Sequence, residues 1–241
     1  MALPNDKYMS DDYIEQNPSW DMEDSPWKAD RVYQILEDNH LICKSVCEVG
    51  CGAGGVLAHL HKKMPKTSFI GYDIAPAAER FWRSHKQENV DFVLGDFFEL
   101  DNRHYKVALL LDVLEHVVDP HQFLSSLKEK SDYIVIHFPL DLSALSVLRE
   151  SPLLYVRRKV GHIHYFTKAL AFELLQECDL EVIDWSYTGA AFSAPQRTLK
   201  SKVFSWFRSL VYAFNKDIGV RLLGGETLMV LARPLKEHSN A

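Results

Sequence analysis

Four carboxylates follow short apolar runs in the sequence, and the first of them stands beside a glycine-rich turn. The runs end at or next to Glu48, Asp73, Asp96 and Asp112, and residues 46–55 read V-C-E-V-G-C-G-A-G-G. If the runs are parallel strands, their carboxyl ends meet at one edge of a sheet, which is where ligands bind. Carboxylates gathered there would repel the pyrophosphate of a dinucleotide. They would suit a ligand that carries an ammonium group, a sulfonium and a ribose diol.

The glycine turn itself fits two kinds of cofactor site. Gly50, Gly52 and Gly55 have the dinucleotide spacing G-x-G-x-x-G. Residues 48–54 also fit E-x-G-x-G-x-G, which resembles the first motif of S-adenosylmethionine-dependent methyltransferases. Glycines let backbone N–H groups approach a ligand closely in either case. The acids at the strand ends favour the second interpretation, and an NAD-dependent oxidoreductase is the less favoured alternative.

The elements that must position these residues alternate between apolar runs and helical patterns. The predicted strands are 45–49, 67–72, 90–94, 107–111, 133–136, 180–187 and 227–232. The predicted helices are 25–39, 56–63, 76–86, 120–130, 167–178 and about 199–214. This alternation is typical of βαβ units, and so of a mainly parallel sheet covered by helices on both faces.

Size and charge restrict the class of protein. A chain of 241 residues with 47% hydrophobic content suits a single α/β domain. We predict an N-terminal arm at 1–24 and one domain at 25–241, with a helical insertion at about 195–222. Lys and Arg number 27 against 33 Asp and Glu, which gives a net charge of −6. An acidic chain of this kind argues against nucleic acid as a partner, because phosphate contacts rest on clustered bases.

The cysteines and the hydropathy point to a cytoplasmic protein. The four cysteines, Cys43, Cys47, Cys51 and Cys178, show no zinc-site spacing, so reduced thiols are predicted. No apolar run approaches the roughly 20 residues needed to span a bilayer. The polar N-terminus has no signal-peptide core.

The chain from about Ser45 to Thr188 resembles a class I S-adenosylmethionine-dependent methyltransferase of the small-molecule type. The segments that carry the resemblance are S-V-C-E-V-G-C-G-A-G-G, F-I-G-Y-D-I, V-L-G-D-F-F, L-L-D-V-L-E-H-V-V-D-P and G-H-I-H-Y-F-T. The first three are highly specific in combination. The resemblance implies S-adenosyl-L-methionine as cofactor. It also implies an α/β, Rossmann-like, doubly wound sheet of seven mostly parallel strands with an antiparallel last strand.

By the same resemblance, the motif residues take individual roles in cofactor binding. Gly50 and Gly52 would border the methionine part, and Asp73 would hold the ribose hydroxyls. The adenine would contact Ile74, the carboxylate of Asp96 and the backbone of Phe97. The methionine amino group would lie against Asp112, and Glu48 and Cys51 complete the predicted cofactor-binding set.

Methyl transfer from a sulfonium mainly requires that the acceptor atom be aligned with the S–CH₃ bond. A hydroxyl acceptor also needs a base, for which histidine is suited near neutral pH. The family places substrate near His116, His137, His162 and His164, and we predict His116, His137 and His164 as the catalytic candidates. The sequence 137–140 reads H-F-P-L, so the N-P-P-Y-type tetrapeptide of amide and exocyclic-amine methyltransferases is missing. Its absence counts against DNA or protein-glutamine targets. We expect a small-molecule or lipid- or sugar-linked acceptor, methylated at oxygen.

One segment of the sequence also fits a metal site. Asp112, Glu115 and His116 stand at i, i+3 and i+4, and the related quinone O-methyltransferases have a similar acid-x-x-E-H stretch linked to a divalent cation. The favoured interpretation is that Glu115 and His116 cap the next helix and shape the pocket floor, so no metal is predicted.

Two further segments carry predictions about partners. The acidic arm from Tyr8 to Trp27 contains aromatic residues and is predicted to fold over the cofactor or substrate, with Trp20 or Trp27 as a lid. The amphipathic pattern at 199–214 is flanked by bases, which predicts peripheral membrane contact through 197–216 or an amphiphilic, anionic acceptor. A stripe packed on the domain's own sheet, a substrate lid and a dimer seam stay open for this helix. A cofactor-binding protein without transfer activity is the remaining functional alternative.

Overall fold

The computed structural model describes Trp20, residues 22–190 and residues 199–235, and in these ranges seven strands form one sheet. The strands are β1 Ser45–Val49, β2 Ser68–Asp73, β3 Val90–Leu94, β4 Tyr105–Leu111, β5 Ser131–Pro139, β6 Leu180–Tyr187 and β7 Thr227–Pro234. Their order is β3-β2-β1-β4-β5-β7-β6. The first five strands pair in parallel, and β7 lies antiparallel between β5 and β6. The predicted Rossmann-like sheet with an antiparallel last strand is confirmed.

Helices connect the strands and cover both faces of the sheet. They are α1 Ser25–Asp38, α2 Gly55–Lys63, α3 Glu79–His85, α4 Phe97–Leu100, α5 Pro120–Lys128, α6 Ala144–Arg149, α7 Ser151–Lys159, α8 Lys168–Glu177, α9 Leu199–Phe214 and α10 Lys216–Leu223. Short 3-10 turns at Met22–Asp24 and Pro76–Ala78 precede α1 and α3. No helix in the described ranges is both long and apolar enough to cross a bilayer.

The helical elements that the sequence analysis did not predict are short or interrupted. Between β5 and α8, the six-residue α6 starts with a capping box of Ser143 and Ser146, and Glu150 at φ 54° separates it from α7. The predicted insertion contains a break as well, because the Asn215 side chain accepts from the Ile218 N–H and starts α10. Elements of one or two turns show too little periodicity to be recognised from sequence.

The core lies on both faces of the sheet because successive strand residues alternate sides. In β4, Leu109 packs with Leu57 of α2 and Leu36 of α1 on one face. Leu110 packs with Leu124 of α5 on the other face, together with residues of α8. The four cysteines are free and buried. A cytoplasmic location stays a prediction.

The buried carboxylate of Asp101 links strands β2 and β4 through hydrogen bonds. Asp101, which follows α4, accepts hydrogen bonds from the hydroxyls of Tyr72 and Tyr105. Arg103 donates to it from Nε at 3.1 Å and Nη2 at 2.7 Å. Burial would raise the pKa of this carboxyl, yet Arg103 and the two hydroxyls hold the pKa well below its usual range.

We expect Asp101→Asn to lower the free energy of unfolding by about 2–3 kcal/mol, because hydrogen bonds to a charged group are lost. Since the folded pKa lies below the unfolded one, this contribution is fully present above about pH 5, begins to fall near the unfolded pKa of about 4, and is lost only as the pH falls through the much lower folded pKa. Urea unfolding at about pH 7 and about pH 2 measures both effects. The matched control is Asp91→Asn, which removes an exposed pair with Lys86 and should change stability by less than about 0.5 kcal/mol. Equal effects of the two variants would contradict the assignment.

Candidate active site

A pocket of about 700 Å³ lies over the carboxyl ends of β1, β2, β4 and β5. Its walls come from the glycine turn, from the loops after β2, β3 and β4, and from the N-terminal end of α1. All nine residues predicted to bind the cofactor line it, namely Glu48, Gly50, Cys51, Gly52, Asp73, Ile74, Asp96, Phe97 and Asp112. Sequence-distant carboxylates thus meet at one edge, as expected for the ends of parallel strands.

The glycine turn is held by the neighbouring strand and has no room for side chains. The N–H groups of Gly50 and Cys51 donate to the carbonyl of Tyr72, at 2.8 and 3.0 Å. Gly54 has φ 80°, and a Cβ there would stand 2.4 Å from the Phe92 ring. Gly52 has φ 51°, and a Cβ there would stand 2.7 Å from Nε1 of Trp20. The turn therefore needs glycine for its conformation and for the close approach of neighbours.

Asp73 stands at the end of β2 and is aimed by two backbone groups. Its Oδ2 accepts from the N–H of Gly52 at 2.7 Å, and its Oδ1 accepts from Ala75 at 2.8 Å. Burial raises the pKa of Asp73, and these two N–H groups counteract the rise. Each carboxylate oxygen can accept a further hydrogen bond from a ligand hydroxyl.

Glu48 and Asp112 lie near Lys28, which projects from α1 into the pocket. Lys28 Nζ stands 2.7 Å from Asp112 Oδ2. Glu48 is buried, its Oε2 has no hydrogen-bond partner in the described part of the chain, and burial raises its pKa to about 8 against the attraction of Lys28. Burial would also raise the pKa of Asp112, but His137 and Lys28 hold it well below its usual range. Asp112 is thus charged, whereas Glu48 is mostly neutral at pH 7.

His137 is a buried residue whose two ring nitrogens are both engaged. Nδ1 lies 2.6 Å from Asp112 Oδ1, and Nε2 lies 2.8 Å from the hydroxyl oxygen of Thr227. The ring of Trp27 meets it edge-on at 5.9 Å between centroids. These contacts fix the orientation of His137 in the pocket wall.

A second group of polar side chains lines the pocket beyond Asp112. The Glu115 carboxylate is 0% exposed, and Nε2 of His116 and Nε2 of His162 stand 3.9 and 4.0 Å from its Oε1. Nδ1 of His162 lies 2.6 Å from Asp141 Oδ2. His164 takes another direction, because its Nε2 lies 2.8 Å from the carbonyl oxygen of Val117. Unlike His116 and His137, it does not line the pocket.

Several pocket residues were not among the predicted site residues. Lys28 lies far in sequence from the motifs, and no spacing signals it. Asp141 follows the 137–140 segment directly and contacts His162 without lining the pocket itself. His162 lies in the G-H-I-H-Y-F-T segment but was not chosen as a catalytic candidate. Of the predicted arm, residues 1–19 and 21 lie outside the described residues. Trp20 and Trp27 are described, and both line the pocket.

Comparison with models of known protein families shows to which family the chain belongs. The family model for a methyltransferase domain matches residues 24–184, which is more than half of the chain. The chain belongs to the methyltransferase-domain family. The predicted class I S-adenosylmethionine-dependent methyltransferase is confirmed, and the NAD-dependent alternative is excluded. No curated protein matches the sequence significantly.

Solved structures share the fold of this methyltransferase. The plantazolicin methyltransferase BpumL in complex with SAH has a TM-score of 0.63 at 16% identity, over 97% of this chain and 95% of that one. Magnesium protoporphyrin IX methyltransferase from Synechocystis PCC 6803, with bound SAH, has a TM-score of 0.59 at 18% identity, over 87% and 83%. The N-methyltransferase NodS from Bradyrhizobium japonicum WM9, with SAH, has a TM-score of 0.55 at 13% identity, over 97% of both chains. These neighbours differ in their acceptors, so the likeness establishes the fold alone.

Proposed function

We propose that this methyltransferase transfers the methyl group of S-adenosylmethionine to an oxygen atom of a small-molecule or lipid- or sugar-linked acceptor. The observation that carries the proposal is the division of one pocket into two parts. The glycine turn, Glu48, Asp73 and Asp96 form a cofactor part, and the histidines beyond Asp112 form an acceptor part. The SAH bound in the structural neighbours supports the cofactor part of the proposal.

The residues of the cofactor part fit S-adenosylmethionine by their chemistry. The unpartnered Oε2 of Glu48 and the charged Asp112 suit the methionine ammonium group. Asp73 suits the ribose hydroxyls. One carboxylate oxygen of Asp96 caps α4 by accepting from Phe98 N at 2.8 Å, and the other suits the adenine amino group beside Ile74. When bound, the cofactor supplies a methyl group that its sulfonium already activates.

His116 is the proton acceptor in this proposal. It lines the acceptor part of the pocket, where its ring lies 5.0 Å from that of His162 between centroids, whereas His164 does not line the pocket. A hydroxyl placed beside His116 would pass its proton to the imidazole as the oxygen forms its bond to the methyl group.

Asp73→Asn should weaken SAH binding about 10- to 150-fold, because a charge-assisted hydrogen bond is worth about 1.5–3 kcal/mol. Isothermal titration calorimetry measures the affinity, and thermal unfolding verifies that the variant is folded. Asp132→Asn is the matched control, since Asp132 lies exposed in β5 and pairs with Lys106 away from the pocket. An unchanged affinity in folded Asp73→Asn would overturn the cofactor placement.

SAH binding should release close to one proton at pH 7 and tighten as the pH rises from 6 to 8. The reason is that Glu48, with a pKa of about 8, is protonated in the cofactor-free protein and ionises beside the ligand ammonium group. Because the free form holds the extra proton, binding weakens as the pH falls. Calorimetry in two buffers of different ionisation enthalpy counts the proton. In Glu48→Gln this release should vanish, and a wild type without release would count against the role of Glu48.

The surface formed by α6, α7, α9 and α10 supports a lipid-linked or amphiphilic acceptor. These helices contact one another in series, with α6 against α7 and α10, and α10 against α9. Apolar side chains on them are strongly exposed, with Phe214 at 97% and Leu148 at 83%. Residues 144–159 and 199–223 contain nine Lys and Arg against two acids, in a chain of net charge −6. Exposed apolar groups among bases are what an anionic membrane surface would bind.

The full-length protein should co-sediment with vesicles of phosphatidylglycerol and phosphatidylcholine at low salt. The double variant Phe214→Ser with Leu148→Ser should bind at least about 100-fold more weakly, since each inserted apolar side chain that is lost is worth about 1.5–3 kcal/mol. Ile42→Ser is the matched control, because Ile42 is 81% exposed in the loop between α1 and β1. Wild-type protein that stays in the supernatant would remove the membrane contact from the proposal and leave the cofactor chemistry intact.

A further inference from the structure

The Glu115 carboxylate is the most anomalous polar group of the pocket. It is completely buried, and neither of its oxygens has a hydrogen-bond partner in the described part of the chain. Burial, together with the nearby charge of Asp112, raises the pKa of Glu115 well above its usual range. A buried polar group without partners costs free energy, so a native structure normally supplies a partner from the protein or from a ligand.

Two imidazoles stand around this carboxylate. His116 Nε2 lies 3.9 Å and His162 Nε2 lies 4.0 Å from Glu115 Oε1, and one ligand atom from each of the three residues lies within 4.8 Å of the others. A divalent ion about 2.0–2.2 Å from each donor keeps neighbouring donors roughly 3–3.5 Å apart. Each of these three groups therefore needs to move by only about 1 Å or less to coordinate one ion.

Asp141 prepares His162 for this role. Its Oδ2 lies 2.6 Å from His162 Nδ1, so Nδ1 donates to this carboxylate and Nε2, on the Glu115 side, is the nitrogen placed to bind an ion. A carboxylate on the far nitrogen is the usual second contact of a metal-binding histidine.

The backbone holds the two ligand-bearing segments together. The carbonyl oxygen of Glu115 accepts from the N–H groups of Ile163 and His164, at 2.8 and 3.2 Å. The loop after β4, with Glu115 and His116, is thereby fixed to the loop after α7, with His162. Asp112 belongs to a different cluster, because Lys28 and His137 occupy its two oxygens.

We propose that Glu115, His116 and His162 bind one divalent transition-metal ion in the acceptor part of the pocket. Two imidazoles and one carboxylate on one side of an ion are typical of zinc, iron(II), cobalt(II) and manganese(II), and they leave coordination positions open. Magnesium is disfavoured, since it prefers oxygen ligands. All three residues line the pocket, so the open positions face the space for the acceptor.

The consequence for the acceptor rests on the proposed function. An acceptor with two adjacent oxygens would occupy two open positions of the ion. The ion would lower the pKa of the bound hydroxyl, whose proton would leave to solvent. The freed oxygen lone pair would then form the bond to the methyl group as the S–CH₃ bond breaks and its electron pair returns to sulfur. His116 serves as proton acceptor in the metal-free protein and as a ligand in the metal-bound one.

Cobalt(II) titration of the chelator-treated, full-length protein tests the proposal through its visible absorption bands and by calorimetry. We expect one ion per chain. Glu115→Gln and His162→Gln should each weaken binding at least about 10-fold, and Asp141→Asn by about 10- to 100-fold through loss of the second contact. His104→Gln, which alters an exposed histidine paired with Asp132, should bind cobalt as the wild type does. Thermal unfolding without metal verifies that each variant is folded.

Absence of stoichiometric binding, or equal binding by Glu115→Gln, His162→Gln and wild type, would overturn the metal site. The proposed function is tested by a different measurement, because wild-type protein that does not bind SAH would overturn it. Metal-free protein that binds SAH and methylates an acceptor at its full rate would overturn the activating role of the ion while leaving methyl transfer in place. Protein that binds cobalt but not SAH would overturn the proposed function and leave the metal site in place.

Discussion

The pocket depends on how the protein accommodates carboxylates that the parallel sheet forces together. Glu48 ends up beside the end of β4 because it pairs with Leu109 in register, and Asp112 and Glu115 follow that strand directly. Like charges this close and this buried cannot all remain ionised without compensation. Three different arrangements result. Asp112 is charged and paired with Lys28 and His137, Glu48 is mostly neutral at pH 7, and Glu115 has a strongly raised pKa without partners.

This distribution of charge makes α1 a part of the site as well as a cover for the sheet. Its buried face, with Val32 and Leu36, packs on the core, and this packing brings Lys28 into the pocket. Lys28 stabilises the charged form of Asp112 and lowers the pKa of Glu48 at the same time. A ligand ammonium group near Glu48 would add a second positive charge beside this carboxyl and lower its pKa further. Binding of such a ligand should therefore be linked to the release of a proton from Glu48.

The part of the pocket around the glycine turn was predictable from sequence because its residues lie in local motifs. A strand, a glycine turn and acids at strand ends occupy continuous segments, and the order of strands then brings Gly52 and Asp73 within hydrogen-bond distance. The fold followed from the same alternation of apolar runs. Lys28 and the pair of Asp141 with His162 could not be predicted in this way. Their proximity depends on how the short helices between β5 and α8 pack, and those helices have no clear periodicity.

The acceptor half differs from the cofactor half in what holds it together. The glycine turn is fixed by backbone hydrogen bonds from Gly50 and Cys51 to the Tyr72 carbonyl of β2. Around Glu115 the backbone joins two loops, but the side chains face one another without direct hydrogen bonds to the carboxylate. Such a group retains unfilled coordination or hydrogen-bonding capacity. Its polarity suits an ion or a polar acceptor better than an apolar substrate. The polar groups of this part come from the loops after β4 and α7, where the imidazoles of His116 and His162 lie 3.9 and 4.0 Å from one buried carboxylate. The imidazole of His164 contacts the Val117 carbonyl instead.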